Sequence, residues 1–585
     1  MSLRRSILSL VGTALLGGSA AAQNGPMDAF RGNIAAIHAR DRAAYLSHYL
    51  QSPDLGRVGP GGVQRGYAGF AEGAGGAWPD TLVATHFEII PITPDVAYGA
   101  YRYRVVTNGV SDRGVSERVL LRTDDGWKVA VTTAFSTPGA APSPMALVGA
   151  TLIDGTGGTP TPDAVVVMRD GRIACAGPAS ACPIGDDVHV VQAAGKWIIP
   201  GLVDAHVHFS QTGWVDGRPD ALDLRAQHPY ERTAAKLRMH PERFYRSYLC
   251  SGVTSVFDVG GYPWTWDLEA RTARSTTAPH VRAAGPLLST VDFWLNLPGH
   301  RQFIHMTDEA TVRDAVRAHA AWGAAAIKVW YIMPPQPPDT ATMARLLMAV
   351  SDEARQAGLP LIVHATGLAG AKDAVRAGAH LLVHSVTSDP VDDEFLDLAR
   401  AAGTYYTPTL TVYDGYRQVA ERTVARETQP FACVDPETRA KALATDTVAQ
   451  DRPPTAAQLA RSRDRATRQY QQALDNLRRV HAAGIPVVMG TDAGNPLTLH
   501  GASVFMELEA MESAGMATMD VLVSATRIGA RAMGLDSVGT ITPGAVADLV
   551  VLEADPLVRI ANVRRIGLVA RAGEIYTRGE LEYRE

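Results

Sequence analysis

Two histidines separated by one residue end a short apolar segment in the stretch IIPGLVDAHVH, at positions 206 and 208. Side chains two positions apart on a strand point to the same side, so His206 and His208 are placed to face one ion. Four more ionisable groups occur in similar positions along the chain: Lys328, His364, His384 and Asp492. Burying six such groups without partners would be costly, so the set predicts a shared ligand.

That ligand is predicted to be a divalent metal, because imidazole nitrogen and carboxylate oxygen suit zinc, manganese or iron. Lys328 is the odd member, since a protonated ammonium cannot ligate and would repel cations. A lysine amine that has reacted with carbon dioxide becomes a carboxylate, which can bridge two ions. Alternatively, Lys328 stays unmodified in an ion pair beside a single metal, and the residues leave both readings open.

The elements that position these groups are short apolar strands alternating with helix-like stretches. The eight predicted strands are residues 201–208, 254–259, 281–285, 325–330, 360–365, 380–385, 403–410 and 485–493. This alternation predicts a (β/α)8 barrel, whose active site lies at the C-terminal ends of the strands. The predicted ligands occur at those ends. Residues 411–453 are charged, and we expect them to form an irregular insertion after the seventh strand.

From PGLVDAHVH to the tail VGTITPGAVADLVVLEADP, the chain resembles the amidohydrolase superfamily, in its imidazolonepropionase/prolidase-like branch of metal-dependent hydrolases. The motifs between them that carry the resemblance are AIKVW, LIVHA, LLVHS, YYTPTL and MGTDAG. The resemblance implies that residues 201–535 form the barrel. It also implies that residues 146–200 and 536–585, which are rich in short strands, form a small composite β-sandwich domain.

The same resemblance implies roles for the six residues and a reaction. Two ions, zinc with manganese or iron as alternatives, would be bound by His206, His208 and Asp492 and by His364 and His384, with carboxylated Lys328 as the bridge. Asp492 would also be the general base toward a metal-activated hydroxide. The implied reaction is hydrolysis of an amide or peptide C–N bond in a small substrate, such as an N-acyl amino acid, a dipeptide or a related amide.

Some positions differ from the pattern of the relatives. Those with dipeptidase activity often carry a TGGH-like loop after the third strand, where this chain has STVDFWLNLPGH, and often a glutamate in place of Val383. These differences leave dipeptidase activity in doubt. For His300, Tyr331 and His500, near predicted strand ends, substrate contact and a structural or surface role both remain open.

Two other functions compete with a binuclear amidohydrolase. One is a mononuclear hydrolase of cyclic amides, lactones or esters, and the other is an exported ligand-binding protein with an inactive barrel. The net charge of −5 gives no electrostatic basis for a nucleic-acid partner, so we expect a small-molecule substrate.

Residues 27–137 precede the barrel as a unit of their own. A segment with helical spacing, MDAFRGNIAAIHARDRAAYLSHYL, is followed by long predicted strands that end in DDGWKVAVTTAFS. This order resembles the cone-shaped α+β fold of the nuclear transport factor 2 superfamily, which includes SnoaL-like domains. The resemblance implies an accessory or oligomerisation domain, and hence a homo-oligomer assembled through it. Residues 138–145, rich in proline and alanine, predict a linker.

The amino terminus resembles a secretory signal over residues 1–22. Arg4 and Arg5 precede a short apolar run, and Ala20 and Ala22 form a cleavage site of small residues. We therefore expect a periplasmic or secreted protein, with no later segment long enough to span a membrane. In an oxidising compartment, Cys175 and Cys182 either form a disulfide or remain two free thiols.

Overall fold

The computed structural model describes residues 25–583 except 60–61, 76–77, 80, 108–109, 137–143, 293–301, 334–339 and 449–454. The signal peptide expected at 1–22, most of the linker expected at 138–145, and His300 therefore lie outside the described residues. The chain divides into two compact units, Met1–Ala140 and Ala141–Glu585. In the part that the structure describes, no helix is both long and apolar enough to cross a membrane.

The first unit contains a six-stranded mixed sheet and three helices. Its helices are α1 (Pro26–Ala39), α2 (Arg42–Ser47) and α3 (Tyr67–Gly73). Its strands are β1 (Gly56–Gly59), β2 (Gly62–Arg65), β3 (Thr81–Thr93), β4 (Val96–Thr107), β5 (Val110–Thr123) and β6 (Gly126–Ser136), in the order β2-β1-β6-β5-β4-β3. Alternate residues of β5 are buried, and α1 buries Phe30 and Ile34. Membership of the nuclear transport factor 2 superfamily stays a prediction.

The second unit begins and ends with the strands of one sheet. These strands are β7 (Met145–Leu152), β8 (Thr161–Arg169), β9 (Arg172–Pro178), β10 (His189–Gln192) and β11 (Trp197–Pro200), and then β21 (Leu549–Leu552), β22 (Ile566–Arg571) and β23 (Glu574–Thr577). We expected a β-sandwich here, but these strands form a single eight-stranded sheet. The reason is that β11 pairs with both β7 and β21, which joins the two halves.

Between them lie the strands of the barrel. They are β12 (Leu202–Val207), β13 (Val253–Asp258), β14 (His280–Ala283), β15 (Leu287–Ser289), β16 (Phe303–His305), β17 (Ile327–Trp330), β18 (Leu361–His364), β19 (Leu381–Val383) and β20 (Tyr405–Thr407). All of their ladders are parallel, as in a (β/α)8 barrel. The third position is divided between β14, which pairs with β13, and β15, which pairs with β17.

The ring is closed by residues 485–493, which we predicted to be a regular eighth strand. They make only isolated bridges, Tyr406 with Val487 and Val207 with Ala493. Near its end the segment also leaves the extended region, since Asp492 has a φ of 64°. The polypeptide nevertheless joins the first and seventh positions, so the eight positions surround one barrel.

Helices pack around the barrel and in its connections. They are α4 (Tyr230–Met239), α5 (Tyr245–Cys250), α6 (Asp267–Thr272), α7 (Glu309–Ala321), α8 (Thr340–Gln356), α9 (Leu368–Arg376), α10 (Asp393–Ala402), α11 (Thr411–Glu421), α12 (Pro436–Leu443), α13 (Ala456–Ala482), α14 (Val504–Ser513), α15 (Thr518–Val523), α16 (Gly529–Ala532) and α17 (Arg578–Leu581). The insertion at 411–453 is therefore partly helical, contrary to our expectation. The side chain of Asp435 caps α12 by accepting from the backbone N–H of Thr438.

The four cysteines form two disulfides. Cys175 and Cys182 pair with their Cα atoms 5.6 Å apart, which is one of the two alternatives that the sequence left open. Cys250 and Cys433 pair with their Cα atoms 5.5 Å apart, although 183 positions separate them. The sequence did not indicate the second pair, because only the fold brings the end of α5 to the insertion.

Candidate active site

A cavity of about 210 Å³ lies where the barrel strands end. Its lining includes all six groups predicted from the sequence: His206, His208, Lys328, His364, His384 and Asp492. Strand geometry explains this for β12 and β17, because residues two apart point to the same side. On β17 that places Trp330 beside Lys328 in the cavity wall.

The first and eighth strand positions meet at Asp492. The Nε2 atoms of His206 and His208 lie 3.3 Å and 2.9 Å from its Oδ1 atom. Close approach of the backbones is possible because residue 490 is glycine: a Cβ there would lie 2.8 Å from the Cβ of His206. The glycine of the MGTDAG motif therefore allows the strands to bring Asp492 to the two histidines.

His364 and His384 complete the cluster from β18 and the end of β19. Their ring centroids are 4.3 Å apart, and the ring of His384 is 4.9 Å from that of His206. One nitrogen each of His206 and His384 and one oxygen of Asp492 all lie within 4.8 Å of one another. Three donors at this spacing can converge on one ion.

Hydrogen bonds to Nδ1 orient two of the histidines. The Nδ1 atom of His208 is 2.6 Å from the carbonyl oxygen of Gly260, and Nδ1 of His384 is 2.7 Å from Oγ1 of Thr409 and 4.0 Å from Oδ2 of Asp492. Since a carbonyl oxygen only accepts, Nδ1 of His208 donates, and its Nε2 lies on the side of Asp492. A ring held in this way by a hydrogen bond at one nitrogen is typical of histidines that bind a metal through the other.

Buried acids hold the backbone segments that carry these groups. Asp204 accepts from the backbone N–H and the hydroxyl of Thr491, at 2.9 and 2.6 Å. Asp258 accepts from the backbone N–H groups of Phe209 and Gly260, at 2.8 and 3.1 Å. Burial raises the pKa of Asp204 to about 7 and that of Asp258 to about 6. These carboxyl groups therefore brace the first, second and eighth strand ends.

Glu507 on α14 is a third such brace. Its carboxylate accepts from the backbone N–H groups of Leu410 and Thr411 and from the Thr411 hydroxyl, at 2.8, 2.9 and 3.0 Å. These contacts fix the segment that carries Thr409, the partner of His384. Burial raises the pKa of Glu507 to about 7.

Two of the six groups have strained backbones. His384 and Asp492 have φ angles of 73° and 64°, and Thr409 has one of 45°. Residues other than glycine seldom adopt this left-handed region, and the exceptions cluster at functional sites. The strain re-aims these side chains from the strand direction into the cavity.

Electrostatics favour neutral imidazoles and an ionised carboxylate. Burial, followed by the charges of neighbouring groups such as Lys328, lowers the pKa of His206 and His364 well below the usual value. Burial alone would raise the pKa of Asp492, but the contact with His208 and the charge of Arg218 contribute to holding it below its usual value. Neutral imidazole and carboxylate are the ligand forms of these side chains.

The donors fit a metal ion by a direct test. His206 is fully buried, and neither of its ring nitrogens has a hydrogen-bond partner. The Oδ1 atom of Asp492, 3.3 Å from Nε2 of His206, is likewise buried without a hydrogen-bond partner among the described residues. Buried polar atoms are costly when unpaired, and a cation between these atoms removes the cost for both.

Lys328 is almost fully buried among these groups. Burial lowers the pKa of its ammonium from 10.5 to about 7, while Asp492 opposes the shift. A substantial fraction of neutral amine is therefore present near neutral pH, and the neutral amine is the form that reacts with carbon dioxide. The chemistry of the site is thus compatible with a carboxylated Lys328.

Two of the three residues for which substrate contact was left open do not line the cavity. Tyr331 is on the opposite side of β17 from Lys328, and its hydroxyl is 3.4 Å from Asp373. His500 is buried against Phe244, and its two nitrogens contact the hydroxyl of Tyr248 and the carbonyl oxygen of Gln211. These are structural roles, and the third residue, His300, lies outside the described part of the chain.

The cavity also contains residues that the sequence analysis missed. The guanidinium of Arg218 lines it together with Asn495, and one Arg218 nitrogen donates to Oδ1 of Asn495. Gln302 and Tyr416 add polar groups to the wall. Arg218 and Gln302 lie in long connections without a strand pattern, so no sequence signal placed them here. Thr409, inside YYTPTL, and Asp258, at the end of a predicted strand, were recognisable candidates.

Comparisons with known proteins agree with this geometry. The model of the Amidohydrolase family matches residues 197–576. An imidazolonepropionase of Cutibacterium acnes is 28% identical over 430 residues, which cover 70% of this chain and 90% of that protein. A Xaa-Pro dipeptidase crystallised with bound methionine has a TM-score of 0.57 at 22% identity, over 74% of this chain and 100% of that chain. A molinate hydrolase has a TM-score of 0.56 at 23% identity, over 75% and 95%. Both solved structures show similarity of fold alone.

Proposed function

The chain belongs to the amidohydrolase family, and from this premise we propose that its cavity hydrolyses the amide bond of small substrates that carry a carboxylate. It is a hydrolase that acts on carbon–nitrogen bonds, as its relatives indicate. This sets aside the alternative of an inactive barrel that only binds a ligand. The proposed substrates are N-acyl amino acids and dipeptides or related amides.

The family is typically metal-dependent, and the proposed centre contains two zinc ions, with manganese or iron as alternatives. His206, His208 and Asp492 would hold one ion, and His364 and His384 the other. Carboxylated Lys328 would bridge them. This proposal is supported by the shared cavity, the unpartnered nitrogens of His206 and the burial of Lys328.

In this mechanism the side chains divide the work. When bound, the metal acts as a Lewis acid and lowers the pKa of water. The carboxylate of Asp492 accepts a proton from the attacking water and then delivers it to the leaving nitrogen. His208, oriented by Gly260, keeps its Nε2 beside Asp492, and Thr409 holds the ring of His384 through Nδ1. Trp330 and Phe303 contribute apolar groups to the cavity wall.

The position of Arg218 in the cavity wall is the main support for substrates that carry a carboxylate. Its side chain is 14% exposed, lines the cavity and influences Asp492 electrostatically. Two of its nitrogens bind the carboxylate of Asp220, and a third donates to Asn495. A substrate carboxylate would replace Asn495 as the acceptor of that third donor, which forms a charge-assisted hydrogen bond. Such a contact would favour acids over neutral amides.

The test compares matched substrates in the wild type and in Arg218→Met. The N-acetyl derivatives of several amino acids would be assayed against their methyl esters, which keep the amide but lose the negative charge. We expect Arg218→Met to lower kcat/KM for the acids by about 10- to 100-fold, as for the loss of a charge-assisted bond, and to change the esters little. Arg225→Met, at an exposed arginine that pairs with Asp223, is the control. An equal effect on acids and esters would contradict the substrate class.

The second candidate is a mononuclear hydrolase of cyclic amides, lactones or esters in which Lys328 stays an amine. Its support is the lowered pKa of Lys328, which permits an uncharged and unmodified side chain. Plasma mass spectrometry on protein prepared with bicarbonate and without chelator separates the two. About two metals per chain supports the bridged centre, and about one supports the mononuclear site.

We also propose a periplasmic or secreted location. The proposal rests on the signal-like start of the sequence and on the two disulfides, which persist in oxidising compartments. Fractionation of cells that express the full chain, with amino-terminal sequencing of the product, tests it. A homo-oligomer through the first unit is a further proposal, and light scattering of the purified protein tests that.

A further inference from the structure

The first unit contains a buried arginine whose charge has no acidic partner among the described residues. Arg118 on β5 is 6% exposed, and it donates to Oγ of Ser116 at 2.6 Å and to the hydroxyl of Tyr101 at 3.3 Å. Weaker contacts reach the carbonyl oxygens of Glu117 and Thr133, and its Nε has no partner. Within the described residues, none of these contacts involves a carboxylate.

Tyrosine hydroxyls surround this guanidinium. The Cζ atom of Arg118 lies 5.6 Å from the ring centroid of Tyr101, and the hydroxyl of Tyr49 donates to that of Tyr45 at 2.9 Å. Burial alone would lower the pKa of Arg118, but the proximity of Tyr101, Tyr49 and Tyr45 raises it. The arginine therefore stays charged. Among the described residues, the side chains that accept from it or face it carry neutral hydroxyl groups.

A second unpartnered polar group lies on the helix that covers this face. Asn33 of α1 is fully buried, and neither its amide nitrogen nor its amide oxygen has a hydrogen-bond partner. Ala29 packs in a cluster with Tyr49 and Leu120, and Phe30 packs in a cluster with Tyr101. Asn33 is four and three positions after these residues, so it lies on the same face of the helix. A donor and an acceptor thus remain unused inside the unit.

Unpaired buried polar groups and buried charges without a counter-ion cost free energy, so they point to a missing partner. We propose that the first unit binds a small organic carboxylate, with its anionic group on Arg118 and the tyrosine hydroxyls. The amide of Asn33 provides a further donor and acceptor for the same molecule. Phe30 and Leu120 are buried beside Gly99, the residue paired with Arg118 across β4 and β5, and these apolar neighbours suit a hydrocarbon portion better than an inorganic ion.

A described depression lies one ring contact away from the tyrosines. It has a volume of about 380 Å³, and its lining includes Arg57, Arg65 and Phe70. The ring of Phe70 is 4.5 Å from that of Tyr49, one of the tyrosines whose proximity raises the pKa of Arg118. Arg57 and Arg65 would raise the local concentration of anions on this part of the surface.

Calorimetric titration of the full chain with sodium hexanoate, benzoate, chloride and phosphate tests the proposal, and hexanol is the uncharged control. We expect hexanoate or benzoate to bind at a site whose affinity falls at least about tenfold in Arg118→Met because a charge-assisted contact is lost, whereas a site at Arg218 in the barrel would not respond to this variant. Arg102→Met, at an exposed position on the neighbouring strand, should bind as the wild type does. Arg218→Met should also retain the binding, which separates this site from the barrel cavity.

Asn33→Leu keeps the test decisive if Arg118→Met does not fold. Leucine has nearly the shape of asparagine and no polar atoms, so the variant should be more stable without ligand and bind the carboxylate about tenfold more weakly. The proposal is overturned if no carboxylate binds to the wild type, or if both variants bind as the wild type does. Preferential binding of phosphate or chloride would likewise refute an organic acid as the ligand. Because no assay here involves hydrolysis, the outcome is independent of the function proposed for the barrel.

Discussion

The Nε2 atom of His208 lies 2.9 Å from the Oδ1 atom of Asp492, so the first and eighth strand positions of the barrel meet at one carboxylate. Neither residue can be placed correctly without the other half of the barrel. Asp204 lies on β12 and reinforces the junction, because it accepts two hydrogen bonds from Thr491. The reactivity that we propose depends on this closure of the ring.

Asp492→Asn should remove most of the activity. Asparagine keeps the size of the side chain but cannot accept the proton, and the loss of general base catalysis costs about 10²- to 10⁴-fold in kcat. The measurement is kcat on an N-acetyl amino acid together with metal content. Asp536→Asn, at an exposed position, is the control. Activity near the wild-type level in Asp492→Asn would contradict the role assigned to this carboxylate.

Lys328→Ala should lose one metal per chain and most of the activity, because the bridging carboxylate cannot form. A short acid such as propionate should restore part of both, since it brings a carboxylate into the space vacated by the side chain. Metal analysis and kcat, with and without propionate, check this. Lys196→Ala, at the surface ion pair with Glu553, should change neither. Two metals and full activity in Lys328→Ala would refute the bridge.

Thr409→Val should weaken metal binding by about 10- to 100-fold, as is typical when the partner of a ligating histidine is removed. The valine keeps the shape of threonine but leaves Nδ1 of His384 without its hydrogen bond. Competition with a metal-binding dye measures the effect. Thr407→Val is a matched control, because the buried hydroxyl of Thr407 has no hydrogen-bond partner. If both variants behave alike, Thr409 does not orient the histidine.

Glu507→Gln should change how stability depends on pH. The pKa of Glu507 is raised from 4.5 to about 7, so the folded chain binds more protons than the unfolded chain between these values. Its contribution is therefore present at low pH and is lost as pH rises through 7, by roughly 3 kcal/mol at most. Urea unfolding of metal-free protein at about pH 5 and about pH 8 should show a smaller decrease for Glu507→Gln than for the wild type. Glu72→Gln, at the surface, should follow the wild type. An equal decrease in the two proteins would show that Glu507 is ionised throughout and would contradict the raised pKa.

Replacing Cys250 and Cys433 together by alanine should destabilise the chain by roughly 2–4 kcal/mol, because their bond closes a long loop. It should also raise KM. The bond anchors the segment that follows α11, and α11 places Tyr413 and Tyr416 in the cavity wall. Denaturant unfolding and steady-state kinetics are the measurements. The double alanine variant of Cys175 and Cys182, which close a loop of only 7 positions, should have a smaller effect on stability and none on KM. Equal effects of the two pairs would contradict a link between Cys433 and the cavity.

Local sequence patterns predicted most strands of the barrel. Seven of the predicted strands overlap regular strands of the structure, from β12 to β20, because each is a short apolar run ended by polar residues. The eighth failed as a regular strand, since residues 485–493 make only isolated bridges to their two neighbours. Part of the insertion after β20 was misjudged because α12 has few buried residues and hence a weak apolar pattern.

The sequence by itself determined which side chains form the cluster, because period-two alternation and the ends of apolar runs are properties of neighbouring residues. It also determined the alternation of elements that produces the barrel. Only the tertiary structure decided which partners orient the ligands, such as Gly260 and Thr409, and which arginine faces them. It alone decided that Tyr331 points away from the cavity and that Cys250 meets Cys433. These outcomes depend on contacts between residues far apart in the chain, and no local pattern encodes such distances.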